Sequence, residues 1–430
     1  MGFDIPLLIF IVGFAAIMIF RVPIAFGMLA TSVFYLMAAG LDVGLMAEKV
    51  LTNLYSVFII IAVPLFVFTA KVMNTSKVSD MIYGFAHSMV GRVRGGMGHV
   101  NVIGSLIFSG MTGSAVADAS GVGILEIEAM RKHGFDAGFS CAVTVTSATI
   151  GPIFPPSIPM IFYAMLSGTS IGALFMGGMI PGVLMGIAQM IYIAYIAHKR
   201  RYPLGAPFVL GQFLVATFKA IPALLTPVIL LGGIYSGMVT PTEAGALAAL
   251  YAIVISALVY RSMGPKMLAE VILDTVKTTG ILTLIVGASF TFSFIVAKEQ
   301  IPQAVGSFLL GVTDNKWVLL LLINILFLLL GMFIDTSTII LVFIPMVLPL
   351  VKSLGIDLVH FGVMIVLNMM IGLATPPFGV LLFIVSGITH TPLHTIIKET
   401  LPLIGVLIVV LFLVTYIPGI VLFLPNLFGL

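Results

Sequence analysis

The chain has 430 residues, of which 60% are hydrophobic and 8% are charged, and its formal net charge is +3. This apolar composition excludes a water-soluble globular protein, and the small net charge offers no basic surface for nucleic acid. We therefore expect a polytopic membrane protein whose surroundings are the lipid bilayer. We also expect an all-α fold, because helices satisfy their own backbone hydrogen bonds in lipid.

Apolar runs alternate with polar breaks, and a run of about 20 residues predicts a membrane crossing. Ten such runs lie near residues 3–20, 22–39, 55–73, 137–163, 171–198, 217–238, 243–260, 279–297, 358–388 and 400–424. Two further regions, 97–130 and 317–351, have polar centres and predict re-entrant hairpins, since non-helical backbone within a membrane must be buried in protein or face water. Most of the 19 lysines and arginines then face the cytoplasm if both chain ends are periplasmic.

The second half of the chain repeats the first at an offset of 221 residues, which pairs Pro155-Pro156 with Pro376-Pro377. Five predicted crossings separate equivalent points, so we expect an inverted repeat, as in many secondary transporters. Each repeat is predicted to contain one hairpin and one helix broken at the double proline, and the pattern suits an elevator-type scaffold plus transport domain. The predicted segments are scaffold helices at 1–54 and 201–275, repeats at 55–200 and 276–430, and broken helices at 151–157 and 372–378.

The second hairpin has a carboxylate and three hydroxyls at its centre, namely Asp335, Thr336, Ser337 and Thr338. An ionised group within the bilayer is costly unless it is paired, and a monovalent cation is a natural partner for these oxygens. We predict a sodium site here, completed by backbone carbonyls released between Gly372 and Pro376. The alternative is that Asp335 caps the returning helix, and both roles can hold together.

The equivalent position in the first hairpin is Ser114, where a sodium site depends on hydroxyl and carbonyl oxygens. Gly113 and Asp118 are further candidate ligands at this site. The spacing of Gly110, Ser114 and Ala117 also fits close helix packing, and Asp118 could instead cap the second arm.

The double prolines remove backbone donors and leave carbonyls without helical partners, so Gly151, Pro155 and Pro376 are predicted cation ligands. Ser157 and Thr375 are suited to cap the half-helices that follow, whose free N–H groups attract anions. A proline kink that serves packing alone is the alternative.

No arginine or lysine lies at the hairpin centres or breaks, so an anionic substrate is expected to depend on helix dipoles, bound sodium and hydroxyl or amide side chains. The candidates are Thr112, Ser157, Thr146, Ser147 and Asn368, although helix–helix hydrogen bonds explain the last three equally well.

Two long strings, residues 109–118 (SGMTGSAVAD) and 148–160 (ATIGPIFPPSIPM), resemble the large membrane subunit of tripartite ATP-independent periplasmic (TRAP) transporters. The resemblance extends over nearly the whole chain. It implies a bacterial inner-membrane symporter that takes up organic acids, such as C4-dicarboxylates or sialic acid, with co-transported sodium ions. It also implies a periplasmic substrate-binding protein, a separate small four-helix membrane subunit and an elevator mechanism.

Two alternatives differ from this reading. One is a sodium/anion symporter or exchanger of similar fold that needs no binding protein. The other is a membrane-embedded enzyme with Asp118 or Asp335 as an acid–base group, but two similar sites in inverted copies suit alternating access better than one-sided chemistry. The chain also carries no nucleotide-binding loop and no familiar hydrolase motif, so we expect no enzyme activity.

Overall fold

The computed structural model describes residues 4–430 except 21, 57, 206 and 314, so the first three residues of the predicted segment 1–54 lie outside it. Helices account for most of the described chain. In the first half they are α1 (Ile5–Ile19), α2 (Ile24–Ala38), α3 (Gly44–Ser56), α4 (Ala62–Thr75), α5 (Val78–Met89), α6 (Gly96–Thr112), α7 (Ala115–Ser120), α8 (Val122–Lys132), α9 (Ala137–Ser147), α10 (Ile158–Ser167) and α11 (Ile171–Lys199).

The helices of the second half follow a similar order. They are α12 (Leu210–Tyr235), α13 (Pro241–Val254), α14 (Pro265–Lys298), α15 (Ile301–Val312), α16 (Lys316–Phe333), α17 (Thr336–Ser353), α18 (Leu358–Ala374), α19 (Val380–Thr389), α20 (Leu393–Tyr416) and α21 (Gly419–Leu427). Short 3₁₀ segments precede α4 and follow α9, and a π-helical turn extends α13 to Val259.

Seven helices within the described residues are long and apolar enough to cross a membrane on their own. They are α11, α12, α13 with its π-helical turn, α14, α16, α17 and α20. An 18-residue helix is about 27 Å long, so the two arms of the second hairpin, α16 and α17, nearly match the hydrocarbon thickness. A hairpin returns the chain to its starting side whether its arms cross the membrane partly or fully. The predicted topology therefore does not depend on the length of these arms.

The 221-residue offset reappears in the helix boundaries. α6 ends at Thr112 and α16 at Phe333, while α9 begins at Ala137 and α18 at Leu358. The same offset places the start of α3 on the start of α14 and overlays α2 on α13, so the correspondence includes helices assigned to the scaffold. The chain is therefore an all-α polytopic membrane protein built from two copies of one unit.

The two copies interlock around their breaks. The half-helix that follows the first break, α10, packs against α17 of the second hairpin. Reciprocally, α19 follows the second break and packs against α7 of the first hairpin. Each hairpin therefore packs against the broken helix of the other copy. This reciprocal packing places the two hairpin centres close to each other.

The buried apolar side chains form one large cluster and two smaller ones. The large cluster extends through the hairpins, the broken helices, α11 and α20. One smaller cluster joins α1, α2 and α14 around Phe10, Tyr35 and Phe292, and the other joins α4, α5, α12 and α13 to Phe108 and Met111 of the first hairpin. The helices around the broken spans therefore share one continuous core.

A charged network ties together three helix ends of this core. Arg200, just beyond α11, donates to Glu399 of α20 at 2.9 and 2.8 Å and to Asp136 before α9 at 3.1 Å. The Tyr202 hydroxyl also donates to Asp136. Burial and this hydrogen bond raise the pKa of Tyr202 to about 12, so the phenol stays protonated near neutral pH.

Candidate functional site

A cavity of about 430 Å³, here called the central cavity, lies where the two hairpin centres meet. We call residues 112–118 tip 1 and residues 333–338 tip 2. Both tips line the cavity, together with side chains of α4, α14 and α18 and the beginning of α10. Six of the predicted site residues face it, namely Thr112, Gly113, Ser114, Asp335, Thr336 and Ser337.

Tip 1 is a sharp helix break. Gly113 ends α6 with a φ of +59°, and Ser114 begins α7 as its N-cap, accepting a hydrogen bond from the Ala117 amide at 3.4 Å. A Cβ on Gly113 would lie 2.5 Å from the carbonyl oxygen of Pro156. Glycine is required here for two reasons, the left-handed backbone and the close approach of the first double proline.

Tip 2 has the same form with different chemistry. α16 ends at Phe333, and Asp335 is the N-cap of α17. Its carboxylate accepts hydrogen bonds from the Thr338 amide at 3.1 Å and from the Thr338 hydroxyl at 3.3 Å. The helix-capping role and the position beside the cavity therefore coexist, and Thr338 is buried behind the carboxylate.

The first break lies directly behind tip 1. A Cβ on Gly151 would approach the backbone of Ser114 and Ala115 at 3.6 Å, and the Pro155 carbonyl is near Gly110. Ser157 caps α10, accepting from the Met160 amide at 3.2 Å, while its hydroxyl donates to the Pro152 carbonyl at 2.5 Å. Both capacities of the Ser157 hydroxyl are used locally, and Ser157 does not line the central cavity.

The second break differs in detail from the prediction. α18 continues to Ala374, and the Gly372 carbonyl accepts a hydrogen bond from the Thr375 amide at 2.9 Å, so it is not released at this point. Thr375 ends α18 and donates its hydroxyl to the Ile371 carbonyl at 2.6 Å, and the N-cap of α19 is Gly379. The expectation that Thr375 caps the next half-helix was therefore wrong. Pro376, like Thr375, lies outside the lining of the central cavity.

Gly372 has a packing role at this break. A Cβ on Gly372 would lie 2.7 Å from the Cα of Gly331 in α16, so two glycines allow α16 and α18 to touch backbone to backbone. The Gly379 amide also donates to the Met332 carbonyl at 3.1 Å. The second break is thus fastened to the end of α16, next to tip 2.

Three predicted substrate residues lie between helices. Thr146, Ser147 and Asn368 are fully buried and do not line the central cavity. The Ser147 hydroxyl donates to the Asn101 side chain at 2.8 Å and the Thr146 hydroxyl to the Ala142 carbonyl at 2.9 Å. The Asn368 amide donates to the Asn324 side chain at 2.7 Å. Their hydrogen bonds join neighbouring helices or close a helical turn, as the alternative interpretation stated.

Several buried oxygens near the tips have no hydrogen-bond partner within the described part of the chain. They include the hydroxyls of Thr112 and Thr336 and both carboxylate oxygens of Asp118. Thr112 and Thr336 line the central cavity, whereas Asp118, the last residue of tip 1, is buried and does not line it. A buried polar atom without a partner is costly, so these atoms are candidate contacts for a cation, a polar ligand or an ordered water.

Sequence reasoning missed four polar side chains of the cavity lining, Lys71 and Asn74 on α4, Ser120 on α7 and Thr278 on α14. Lys71 lies at the end of the predicted crossing 55–73 and was counted only among the cations on the cytoplasmic side. In the structure α4 continues to Thr75 and brings Lys71 to the wall, one turn before Asn74. A signal was present in the sequence, since Lys71 and Asn74 are three residues apart and share a helix face.

A second, polar cavity of about 480 Å³ adjoins the central one. It lies beside residues 74–77 and the end of α7, and Asn74 and Ser120 line both cavities. These two residues therefore mark a connection from the tips to the segment between α4 and α5.

Comparisons with known proteins agree with this architecture. Residues 11–420 match the family described as tripartite ATP-independent periplasmic transporter, DctM component. The chain is 41% identical, over 97% of its length and 98% of the relative, to the sialic acid TRAP transporter large permease protein SiaM of Vibrio cholerae. It is 38% identical, over 87% of both chains, to the C4-dicarboxylate TRAP transporter large permease protein DctM of Pseudomonas aeruginosa.

A solved structure with a similar fold is the YdaH transporter of Alcanivorax borkumensis. The match has a TM-score of 0.57 and 15% identity, and it covers 86% of this chain and 87% of the other. The relatives are named as transporter permeases, which are not enzymes, and the apolar helices fit a multi-pass protein of the inner membrane. This chain therefore belongs to the large membrane subunits, the DctM components, of the tripartite ATP-independent periplasmic transporters.

Proposed function

We propose that this permease carries out sodium-coupled secondary active uptake of an organic acid anion across the bacterial inner membrane. The substrate class is proposed from relatives named for sialic acid and for C4-dicarboxylates. A periplasmic binding protein delivers the anion, and a small four-helix membrane subunit completes the transporter. Both chain ends lie on the periplasmic side in this proposal.

The observation that carries this proposal is the meeting of both tips in one cavity. Helix interruptions that face each other near the middle of an inverted repeat provide backbone dipoles and side-chain oxygens for a solute. Sodium, as co-transported cargo, is proposed to bind at two positions. The first involves Gly113, Ser114, Asp118, Gly151 and Pro155, and the second involves Asp335, Thr336, Ser337, Thr338, Gly372, Thr375 and Pro376. A carbonyl oxygen that already accepts one hydrogen bond, such as that of Gly372, keeps a second lone pair for a cation.

An elevator mechanism is proposed from the packing. The two tips, α10 and α18 line one part of the central cavity and α4 and α14 line the rest, although residues of α4 and α14 also pack into the large core. A substrate in this cavity therefore sits between the interlocked hairpins and broken helices, here called the hairpin unit, and the helices α4 and α14. Movement of the first body along the second would transfer the cavity across the membrane, and the polar connection at Asn74 would form its cytoplasmic exit.

The test is uptake into proteoliposomes that contain the large and small subunits. Radiolabelled sialic acid and succinate are supplied outside with the cognate binding protein, and an inward sodium gradient is compared with an equal potassium gradient. We expect accumulation of one of the two anions with sodium only. Equal uptake with potassium contradicts sodium coupling, and uptake of neither anion contradicts the proposed substrate class.

A control without the soluble binding protein distinguishes the tripartite system from the main alternative. Uptake at the full rate in its absence favours a symporter or exchanger that works without a binding protein. Uptake that depends on added binding protein favours the tripartite system.

A further inference from the structure

Lys71 is the cationic side chain of the central cavity. It is the only lysine or arginine that lines the cavity within the described residues, and it faces the space shared by Thr112 and Thr336. Its equivalent in the second repeat is Phe292, which is 1% exposed and packs in the core beside Phe10. The repeated fold therefore does not require a charge at this position.

The ammonium group of Lys71 is held in place but not neutralised. It donates to the carbonyl oxygen of Asp274 at 2.7 Å and to the hydroxyl of Thr278 at 2.9 Å, both on α14. No carboxylate of the described residues lies within 4.0 Å of its nitrogen, and the Asp274 carboxylate pairs with Lys277 instead, at 3.9 Å. An ammonium has three N–H donors, so one donor and the whole charge remain for a ligand.

The charge balance of the cavity identifies the ligand class. Among the described residues, Asp335 on tip 2 is the single carboxylate in the lining, and the Thr112 and Thr336 hydroxyls have no hydrogen-bond partner. A cation at tip 2 matches Asp335, and an anion matches Lys71. Lys71 is half-buried and Asp335 is exposed, so a partner of opposite charge can reach each of them from the cavity.

We propose that Lys71 binds a carboxylate of the transported anion from the α4 side, while Thr112 and Thr336 hydrogen-bond its polar groups from the tips. This inference rests on the proposed uptake of an organic anion and adds a specificity-determining residue to it. The substrate then contacts both α4 and the hairpin unit. Its carboxylate must leave Lys71 when the hairpin unit moves away from α4. Recognition of the charge and release of the substrate are thereby coupled.

The first test measures the anion preference of the cavity without transport. In a Cys141→Ala background, Asn74→Cys places one thiol beside Lys71, and its labelling rates with negatively and positively charged methanethiosulfonates are compared in the complex. Lys71→Gln is expected to lower the negative-to-positive rate ratio at least about tenfold, because a unit charge at close range acts in opposite directions on the two reagents. Lys71→Arg keeps the ratio. An unchanged ratio in Lys71→Gln overturns the proposal.

The second test measures uptake. Lys71→Gln is expected to raise KM for the transported anion about tenfold with an unchanged sodium half-saturation, whereas Lys71→Arg stays within about threefold. Lys277→Gln is the matched control, since it removes a nearby lysine that contacts Asp274 outside the cavity. A wild-type KM in Lys71→Gln contradicts the assignment. Lys71→Met provides a second neutral variant if the glutamine protein does not fold.

The two proposals fail in different ways. If the wild-type transporter takes up neither sialic acid nor succinate, the proposed function fails, yet the labelling ratio still decides whether Lys71 makes the cavity select anions. If uptake is sodium-driven and Lys71→Gln leaves both KM and the ratio unchanged, the function stands and the Lys71 assignment fails.

Discussion

Tip 1 and tip 2 occupy equivalent places in the repeat and line the same cavity, but they are built for different tasks. At tip 1 the backbone is pressed against the first double proline, and the capping residue is the neutral Ser114. At tip 2 the capping residue is the charged Asp335, and the close contact has moved back to Gly331 and Gly372. The comparison teaches that the duplication kept the helix break while the charge at the break diverged.

The largest effect is expected at the charge. Asp335→Asn keeps a capping side chain and removes the carboxylate, so sodium-driven uptake is expected to fall at least about 100-fold, the order expected when one member of a paired charge is lost. Uptake and sodium half-saturation in proteoliposomes check this. Asp357→Asn is the matched control, because Asp357 also caps a helix, by accepting from Val359 and His360, but does not line the cavity. An equal sodium half-saturation of uptake in the Asp335 variant and the wild type would contradict the proposed sodium site at tip 2.

The next effect is expected at Gly113. Gly113→Ala places a Cβ 2.5 Å from the Pro156 carbonyl on a backbone with φ of +59°, and it is expected to destabilise the protein by about 3 kcal/mol or more. Gly355→Ala has the same backbone conformation, φ +64°, with open space around the new Cβ, so it isolates the conformational cost of roughly 1–2 kcal/mol. Melting temperatures measured in detergent rank the two variants by stability, and Gly113→Ala is expected to have the lower one. Equal melting temperatures would show that the contact with the double proline is not essential.

A smaller loss is expected at the equivalent contact of the second repeat. Gly372→Ala forces α16 and α18 apart at the Gly331 contact and is expected to cost about 1–3 kcal/mol. Gly387→Ala in α19 meets nothing within 4 Å and is expected to stabilise the helix slightly, by roughly 0.5–1 kcal/mol. The same melting experiment compares the pair. A Gly372 variant as stable as the Gly387 variant would contradict the proposed backbone contact.

The smallest effect is expected at Ser114. Ser114→Ala and Ser170→Ala both remove a serine N-cap with a long amide contact, 3.4 and 3.3 Å, so both are expected to lose about 0.5–1 kcal/mol of stability. Only the Ser114 variant is expected to raise the sodium half-saturation, about threefold, since a neutral ligand contributes less than a carboxylate. Sodium titration of uptake distinguishes them. An effect as large as that of Asp335→Asn would show that the tips are chemically equal.

Local signals located the interruptions well. Glycine, serine and aspartate at the hairpin centres and the duplicated prolines predicted where helices stop, and the breaks at 113–114 and 334–335 lie inside the predicted hairpins. The second double proline was located less accurately, because α18 continues through Gly372 to Ala374. The residue before a proline is the one displaced from helical conformation, so the helix ends near Thr375 and not at the preceding glycine.

Local signals did not identify which polar residues face the cavity. Thr146, Ser147 and Asn368 precede the breaks by about one to two turns, yet their hydrogen bonds stay within and between helices. Lys71 on α4 and Thr278 on α14 are about 200 residues apart in sequence, and their side chains meet where these two helices pack together. No local pattern specifies such a meeting.

The sequence by itself determined the membrane environment, the all-helical class, the duplicated unit and the positions of its helix interruptions, because hydropathy and proline or glycine chemistry act within a few residues. The tertiary structure decided which oxygens remain without partners and that Lys71 lines the same cavity as the two tips. Those features depend on how helices from both copies pack against one another, and the direction of a side chain is fixed only when its neighbours are in place.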